Sequence, residues 1–496
     1  MDATQVENKP ASMGDVNAEL SIKEKTFCGL YGGNREAFGW ALDVIPRGLT
    51  LIGNVVFTNT ALLRLARIAA GCQVDLEEGQ IELPECTNTV YGIRPSSLLT
   101  TLMTAIGICS ALLMPIVGAT IDHTKYRRAV GRISAIIMTG VTFCQIYISQ
   151  QTWFFIAICQ VISAFFFIVH TLAALAYLPE LTDDTNLLTK WTGSFTAIQY
   201  GFMTIYLIAV VALQIVFQLE EIQTARLAQS ISFVVSSLFF GYSWVFCFKP
   251  RPISSQIPEN EFLILAGFRK LYKTGKTFVA KNDCLKYFLV SVAFTEAAVS
   301  SFTTVAITFM TYKLQFSSNQ NGLSIFCLLI GTCPGAWLST KAAEKWSPVR
   351  SFQCALFLWI VNTLVFSFVV KGPEHANVSY IFGFIWGLAT GWTYPMERLI
   401  YCTIIPKGQE AELMGVYICN ASILSWLPPL VFTAMNESGI SMNISFASLS
   451  FFFLFAFLCQ IKVGRNYENA VEIAIAKGKP DDAKNGCADE NAETRI

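Results

Sequence analysis

Charge is the scarce component of this chain. Asp, Glu, Lys and Arg make up 14% of its 496 residues, and only three histidines are present, where a soluble domain carries about 25% charged residues. The two signs cancel to a net charge of zero, so the basic footprint of a nucleic-acid partner is missing. The sequence also lacks a nucleotide-binding glycine loop, a Gly-x-Ser-x-Gly elbow and paired catalytic carboxylates on a polar domain. No enzyme chemistry is therefore expected. Fifteen cysteines are scattered through apolar stretches without the Cys/His spacing of a zinc site, and neither a metal nor a cofactor is expected. The first thirty-six residues have no short apolar core of the signal-peptide kind, so the amino terminus is expected to be cytosolic and uncleaved.

What remains is apolar. Hydrophobic residues account for 53% of the chain and aromatics for 13%, a composition suited to lipid as solvent. A bilayer core takes about 20 apolar residues per helix. In that unit, segments fall near 38–63, 96–121, 130–150, 153–178, 192–217 and 228–248, then near 286–312, 320–341, 351–370, 378–402, 413–435 and 444–463. The expectation is an all-α membrane protein with about twelve spans in two six-helix bundles. It divides into a polar, disordered tail (1–36), a first bundle (37–248), a linker (249–285), a second bundle (286–464) and a second disordered tail (465–496). Within the linker, Phe262, Leu265, Phe268 and Tyr272 share one helical face flanked by Arg269, Lys273 and Lys276, as in a helix lying in the headgroup layer. Membrane lipids are thus expected partners, and the protein is expected to act as a monomer.

Lys and Arg concentrate in alternate loops, among them Lys125, Arg127, Arg128 and Arg132, the 249–286 stretch, and Lys341, Lys345, Arg350 and Lys407. The positive-inside rule puts these loops in the cytosol. The opposite loops hold the sequons at Asn377, Asn436 and Asn443, candidate glycosylation acceptors. They also hold Cys72 and Cys86, a candidate disulfide on the oxidising side.

One basic turn carries more than orientation. Gly118-x-x-x-Asp122, followed by Lys125, Arg127 and Arg128, resembles the signature loop between helices two and three of major facilitator transporters, which forms part of a gate. Further stretches resemble one branch of that superfamily, the vacuolar amino-acid effluxers linked to autophagy. They are Gly39-Trp40, Tyr177-Leu-Pro-Glu-Leu, the run Ile404-Ile-Pro-Lys-Gly-Gln-Glu-Ala-Glu-Leu-Met-Gly-Val-Tyr, and Ser425-Trp-Leu-Pro-Pro. The resemblance implies the major facilitator fold, a secondary transporter working by alternating access, small-molecule substrates of amino-acid type, efflux to the cytosol, and a vacuolar or lysosome-like membrane, with the plasma membrane as alternative. It places the loop after Gly118 beside the start of helix eleven, where Arg127 or Arg128 would pair with Glu410 or Glu412. Departures are local. His123 and Lys125 replace the usual loop residues, Ser339 stands where the second half would repeat the Asp, and Trp392, Tyr394, Pro395 and Glu397 occupy a turn that is usually small and carries a Gln. Arg398 and Tyr401 still match.

Ionisable residues inside a span cost about 2.5 kcal/mol or more near the bilayer centre and usually face a water-filled path. Here they are Asp43 and Arg47 in the first span, His170 in the fourth, Glu296 in the seventh, and Glu397 with Arg398 in the tenth. In a fold of four three-helix repeats, these are the first helices of each repeat and surround the central path. Arg47 or Arg398 is expected to hold a substrate carboxylate, Glu296 or Asp43 to titrate with coupled protons, and Trp392 and Tyr394 to line the pocket. For each there is a plainer role: Asp43 and Arg47 can neutralise each other one turn apart, and His170 can be a packing residue among Phe165, Phe166 and Phe167. The alternatives are a carrier for a sugar or organic anion, or a nutrient sensor that kept the fold without transporting.

Overall fold

The computed structural model describes residues 30–73, 86–182, 185–250, 276, 282–405, 417 and 420–477. Among these the chain is a succession of long helices. The first, α1 (Arg35–Ala69), is followed by α2 (Leu98–His123), α3 (Arg127–Gln145), α4 (Trp153–Leu175), α5 (Thr185–Phe217) and α6 (Glu221–Tyr242). After the gap come α7 (Asp283–Lys313), α8 (Ser318–Lys345), α9 (Pro348–Val369), α10 (Ala376–Ile404), α11 (Leu427–Glu437) and α12 (Leu449–Lys477). Nine described helices are long and apolar enough to cross a bilayer; α3, α10 and α11 carry the charges, glycines or short described length that keep them below that mark. The helix starts follow local chemistry. The Asn34 side chain accepts from the N–H groups of Glu36 and Ala37 at 3.0 and 3.1 Å, and Ser347 caps α9 ahead of Pro348, each satisfying donors that a first turn leaves open.

Two readings of the sequence need adjusting, and a third falls outside the described residues. The first helix is longer than 38–63 and contains one wide π turn, Gly53–Thr58, near its middle. The last continues to Lys477, so the stretch after 464 is helical for several turns rather than a disordered tail from 465. The amphipathic pattern at 262–276 lies almost wholly outside the described residues, as do Glu410 and Glu412.

Buried apolar side chains form separate cores. Phe288, Phe302, Phe309, Trp359, Phe366 and Trp386 belong to one in the second half, a second around Trp40, Tyr177 and Trp244 lies in the first half, and a third around Phe57, Tyr206 and Leu62 is joined by Ile325 and Leu329 of α8. The tightest pairing is α8 against α10. Gly331 and Gly335 on one helix and Gly387 and Gly391 on the other bring the backbones so close that a Cβ at Gly387 would overlap the Leu328 carbonyl. These are Gly-x-x-x-Gly stripes, which let membrane helices gain contact where no hydrophobic drive exists between them.

The halves meet at the end that the Lys/Arg pattern puts away from the cytosol. Asn436 Nδ2 donates to Ser96 Oγ and Ser97 Oγ at 2.7 and 2.8 Å, the Thr100 and Thr433 hydroxyls are 2.6 Å apart, and Arg94 holds Glu437. Asn321 donates to Thr60, and Arg67 lies 5.5 Å from the centroid of the Tyr312 ring. At the opposite end no described atom lies within 4 Å of a Cβ built on Gly118. The described halves are sealed on the non-cytosolic side.

Candidate functional site

The six ionisable residues of the spans do not converge on one point. They sort into two groups, one inside each half.

In the first half, Asp43 is fully buried. Its Oδ1 accepts from Trp244 Nε1 at 2.6 Å and lies 2.9 Å from His170 Nε2, and its Oδ2 is 3.0 Å from Arg47 Nε. The other imidazole nitrogen, Nδ1, faces the Gly131 carbonyl at 3.1 Å and Ser134 Oγ at 3.0 Å. The Ser134 hydroxyl is also within reach of that carbonyl, so both ring nitrogens have polar partners on neighbouring helices. Arg47 lies 4.8 Å from the Trp40 ring centroid, and its Nη2 is buried with no hydrogen-bond partner among the described residues. Three helices (α1, α3 and α4) and the π turn Ser243–Cys247 that follows α6 are thus joined through a carboxylate in the middle of a bundle. Gly131 permits it, because a Cβ there would overlap the Trp244 ring. Asp43 and His170, expected on the central path, instead sit in the core of the first half with no exposed surface.

In the second half, Glu296 of α7 and Glu397 of α10 have their carboxyl groups within hydrogen-bonding reach of each other. Glu397 is completely buried, and among the described residues no N–H or O–H group donates to either of its oxygens. Arg398 is near enough for its charge to act on both carboxyls, as are the phenols of Tyr394 and Tyr417. From the first half, Tyr200 of α5 reaches the same neighbourhood and interacts with Arg398. Here ionisable groups of the second half meet a polar side chain of the first. Trp392, expected to line the pocket, instead donates its indole N–H to Ser351 Oγ at 2.9 Å and packs against the core of its own half. A further enclosed pocket lined by Phe302, Met310, Leu328 and Trp386 is apolar and holds no titratable group.

The residues of the basic turn also find partners. Arg127, 4% exposed, donates to Glu180 Oε1 at 2.7 Å, and Arg128 donates to the Val245 carbonyl at 2.7 Å. The basic loop is thereby tied to the Tyr177-Leu-Pro-Glu-Leu turn, and the Tyr177 hydroxyl donates to the Lys249 carbonyl. The expected partners Glu410 and Glu412 and the side chain of Asp122 lie outside what is described. Cys72 and Cys86 are joined by a disulfide. Two of the three sequons need correction: Asn436 is held by Ser96 and Ser97, and Asn443 donates to the Ser367 and Val370 carbonyls at 2.8 and 2.7 Å, so neither amide is available for a glycan. Asn377 is exposed.

Trp244, Ser134, Tyr200 and Tyr417 were not singled out from sequence. Trp244 and Tyr200 are aromatics in aromatic-rich spans, and only the three-dimensional approach of their helices reveals their polar ends at a charge.

Twelve long helices among the described residues, in two halves that meet around buried ionisable groups, have the fold of the major facilitator superfamily. Solved structures of that fold are similar over most of the chain. The human organic anion transporter MFSD10 aligns with a TM-score of 0.57 at 13% identity, covering 86% of this chain and 99% of that one. The inward-open xylose transporter XylE from E. coli gives 0.55 at 11% identity, covering 88% and 99%. The model of the family described as "Vacuole effluxer Atg22 like" matches residues 34–469, and the chain belongs to that family. Autophagy-related protein 22 of Eremothecium gossypii is 21% identical over 467 residues, covering 86% of this chain and 89% of that protein. The chain is thus an integral, multi-pass transporter of a vacuolar family rather than an enzyme.

Proposed function

We propose that this transporter carries amino acids across a vacuolar or lysosome-like membrane to the cytosol by alternating access, with protons as the coupling ion. The observation that carries the reading is the Glu296–Glu397 pair beside Arg398, with Tyr200 approaching from the other half. An amino acid presents a carboxylate and an ammonium. Arg398 offers a fork suited to the first, and the acidic pair offers a counter-charge for the second. Arg47 is a poorer candidate for the carboxylate, since its charge is already opposed by Asp43 at 3.0 Å. The family description supports efflux and the vacuole.

The two halves would close alternately around this central group. The contacts of Arg94, Asn436 and Thr100 form the lumenal seal, and the Arg127–Glu180 turn forms part of the cytosolic one. The test is uptake of radiolabelled amino acids into vesicles containing the protein, with amino acids, sugars and organic anions as competitors. Amino acids should compete and sugars should not. Competition confined to sugars or organic anions would replace the substrate, and binding without flux would make the protein a sensor.

A further inference from the structure

Glu397 presents a chemical problem that its surroundings do not solve. A carboxyl group with no exposed surface ordinarily accepts two or more hydrogen bonds or faces a cation closely, yet no donor among the described residues reaches either oxygen. Its near neighbour is the Glu296 carboxyl on α7. Two ionised carboxylates cannot hydrogen-bond each other, because both only accept; with one proton between them, one donates and the other accepts. The groups facing the pair are Tyr394 and Arg398 from α10, Tyr417 ahead of α11, and Tyr200 from α5 beyond Arg398. Phenols are weak acids and stay neutral at this site's working pH, so Arg398 is the charge able to replace the proton. It is exposed where Glu397 is buried, so its guanidinium lies on the open side of the pair.

We infer that Glu296 and Glu397 together form a one-proton binding site, and that Arg398 is the cation that passes between this pair and the carboxylate of the substrate. With the proton bound, the pair carries a single negative charge and Arg398 is available to the substrate. When the proton leaves as hydronium to cytosolic water, two carboxylates remain side by side. Arg398 is drawn to them and lets go of the substrate carboxylate. Charge balances at each step: one proton enters from the acidic side and one leaves on the other, and no bond to carbon changes. Substrate release is thereby tied to proton release, which makes the coupling a symport.

This inference rests on the reading of the protein as an amino-acid transporter only for the second half of the cycle. The proton site has a readout that needs no substrate. Infrared difference spectra of the reconstituted wild-type protein, titrated from acid to alkaline pH, should show the C=O stretch of one protonated carboxyl at neutral pH, shifted in heavy water. That signal should vanish in Glu296→Gln and in Glu397→Gln, since the glutamine amide can donate to the remaining carboxylate. Absence of the band from wild type, or its survival in both variants, would overturn the proton site. In flux assays a gradient of one pH unit moving one proton supports about tenfold accumulation. Wild type should approach that figure and Glu397→Gln should lose it. Equal gradient stimulation in the two would also overturn the inference, whereas amino acids that fail to move at all while the band behaves as described would refute the substrate and leave the proton site standing.

Discussion

Replacing Asp43 by asparagine isolates what the buried group of the first half does. The carboxylate accepts from Trp244, lies against His170, and opposes Arg47 at 3.0 Å. Asparagine keeps an oxygen for the first two but presents a neutral amide to Arg47, which is 4% exposed and has a second nitrogen with no hydrogen-bond partner among the described residues. Breaking one side of a buried ion pair costs about 3–5 kcal/mol, because the remaining charge stays buried without compensation. Retention of two acceptor contacts puts Asp43→Asn at the lower end, about 3 kcal/mol, and the midpoint of thermal unfolding should fall by roughly 3 °C in a chain of this length. The assay is thermal unfolding of purified protein in detergent, followed by tryptophan fluorescence, to which Trp244 contributes directly. The double variant Asp43→Asn/Arg47→Met removes the stranded charge and should regain most of the loss. If Asp43→Asn melts with wild type, or if the double variant is no better than the single one, the structural role is wrong. Full stability with abolished transport would return Asp43 to the substrate path.

The remaining expectations concern the seal, the helix contact and the sequons. Asn436→Ala removes two buried hydrogen bonds to Ser96 and Ser97, each worth about 1 kcal/mol, so the lumenal seal should loosen by about thirtyfold in equilibrium; labelling of a Thr433→Cys probe by an impermeant maleimide from the lumenal side should rise accordingly, and unchanged labelling would refute the seal. Gly387→Val forces a side chain into the Leu328 backbone and should cost about 1–3 kcal/mol or more, read as a lowered unfolding midpoint, whereas Gly140→Ala, with open space around it, should be neutral or stabilising by about 0.5–1 kcal/mol. Without endoglycosidase treatment, Asn436→Gln and Asn443→Gln variants should migrate as wild type does. Any glycan-dependent shift should disappear with Asn377→Gln alone.

Much of the architecture was legible because lipid imposes a simple rule. A run of about 20 apolar residues is a helix, and Lys and Arg in alternate loops orient the set. The basic turn after Gly118 and the Tyr177-Leu-Pro-Glu-Leu motif were readable as separate signals; that they are joined by Arg127 and Glu180 was not, since an ion pair between helices leaves no trace in spacing. The membrane-embedded charges were visible for the same reason that they are expensive. Their partners were not. Asp43 and Glu296 look alike in sequence, each a lone acid in an apolar span. One faces His170, Arg47 and Trp244 in a packed core, and the other faces a second carboxyl near the meeting of the halves. That difference is set by helix rotation. Periodicity resolves rotation poorly in a span that is apolar all round. The Gly-x-x-x-Gly stripes of α8 and α10 were in plain view as a spacing, and would have announced the tightest contact of the second half.

The central claim is proton-coupled movement of amino acids through the site at Arg398. The direct measurement is efflux of a labelled neutral amino acid from vesicles with an imposed acidic interior, compared with vesicles at equal pH, for wild type and Arg398→Met. Faster efflux down the pH gradient in wild type, lost in the variant, is the expected result. Efflux indifferent to the gradient, or equal in wild type and Arg398→Met, would contradict it.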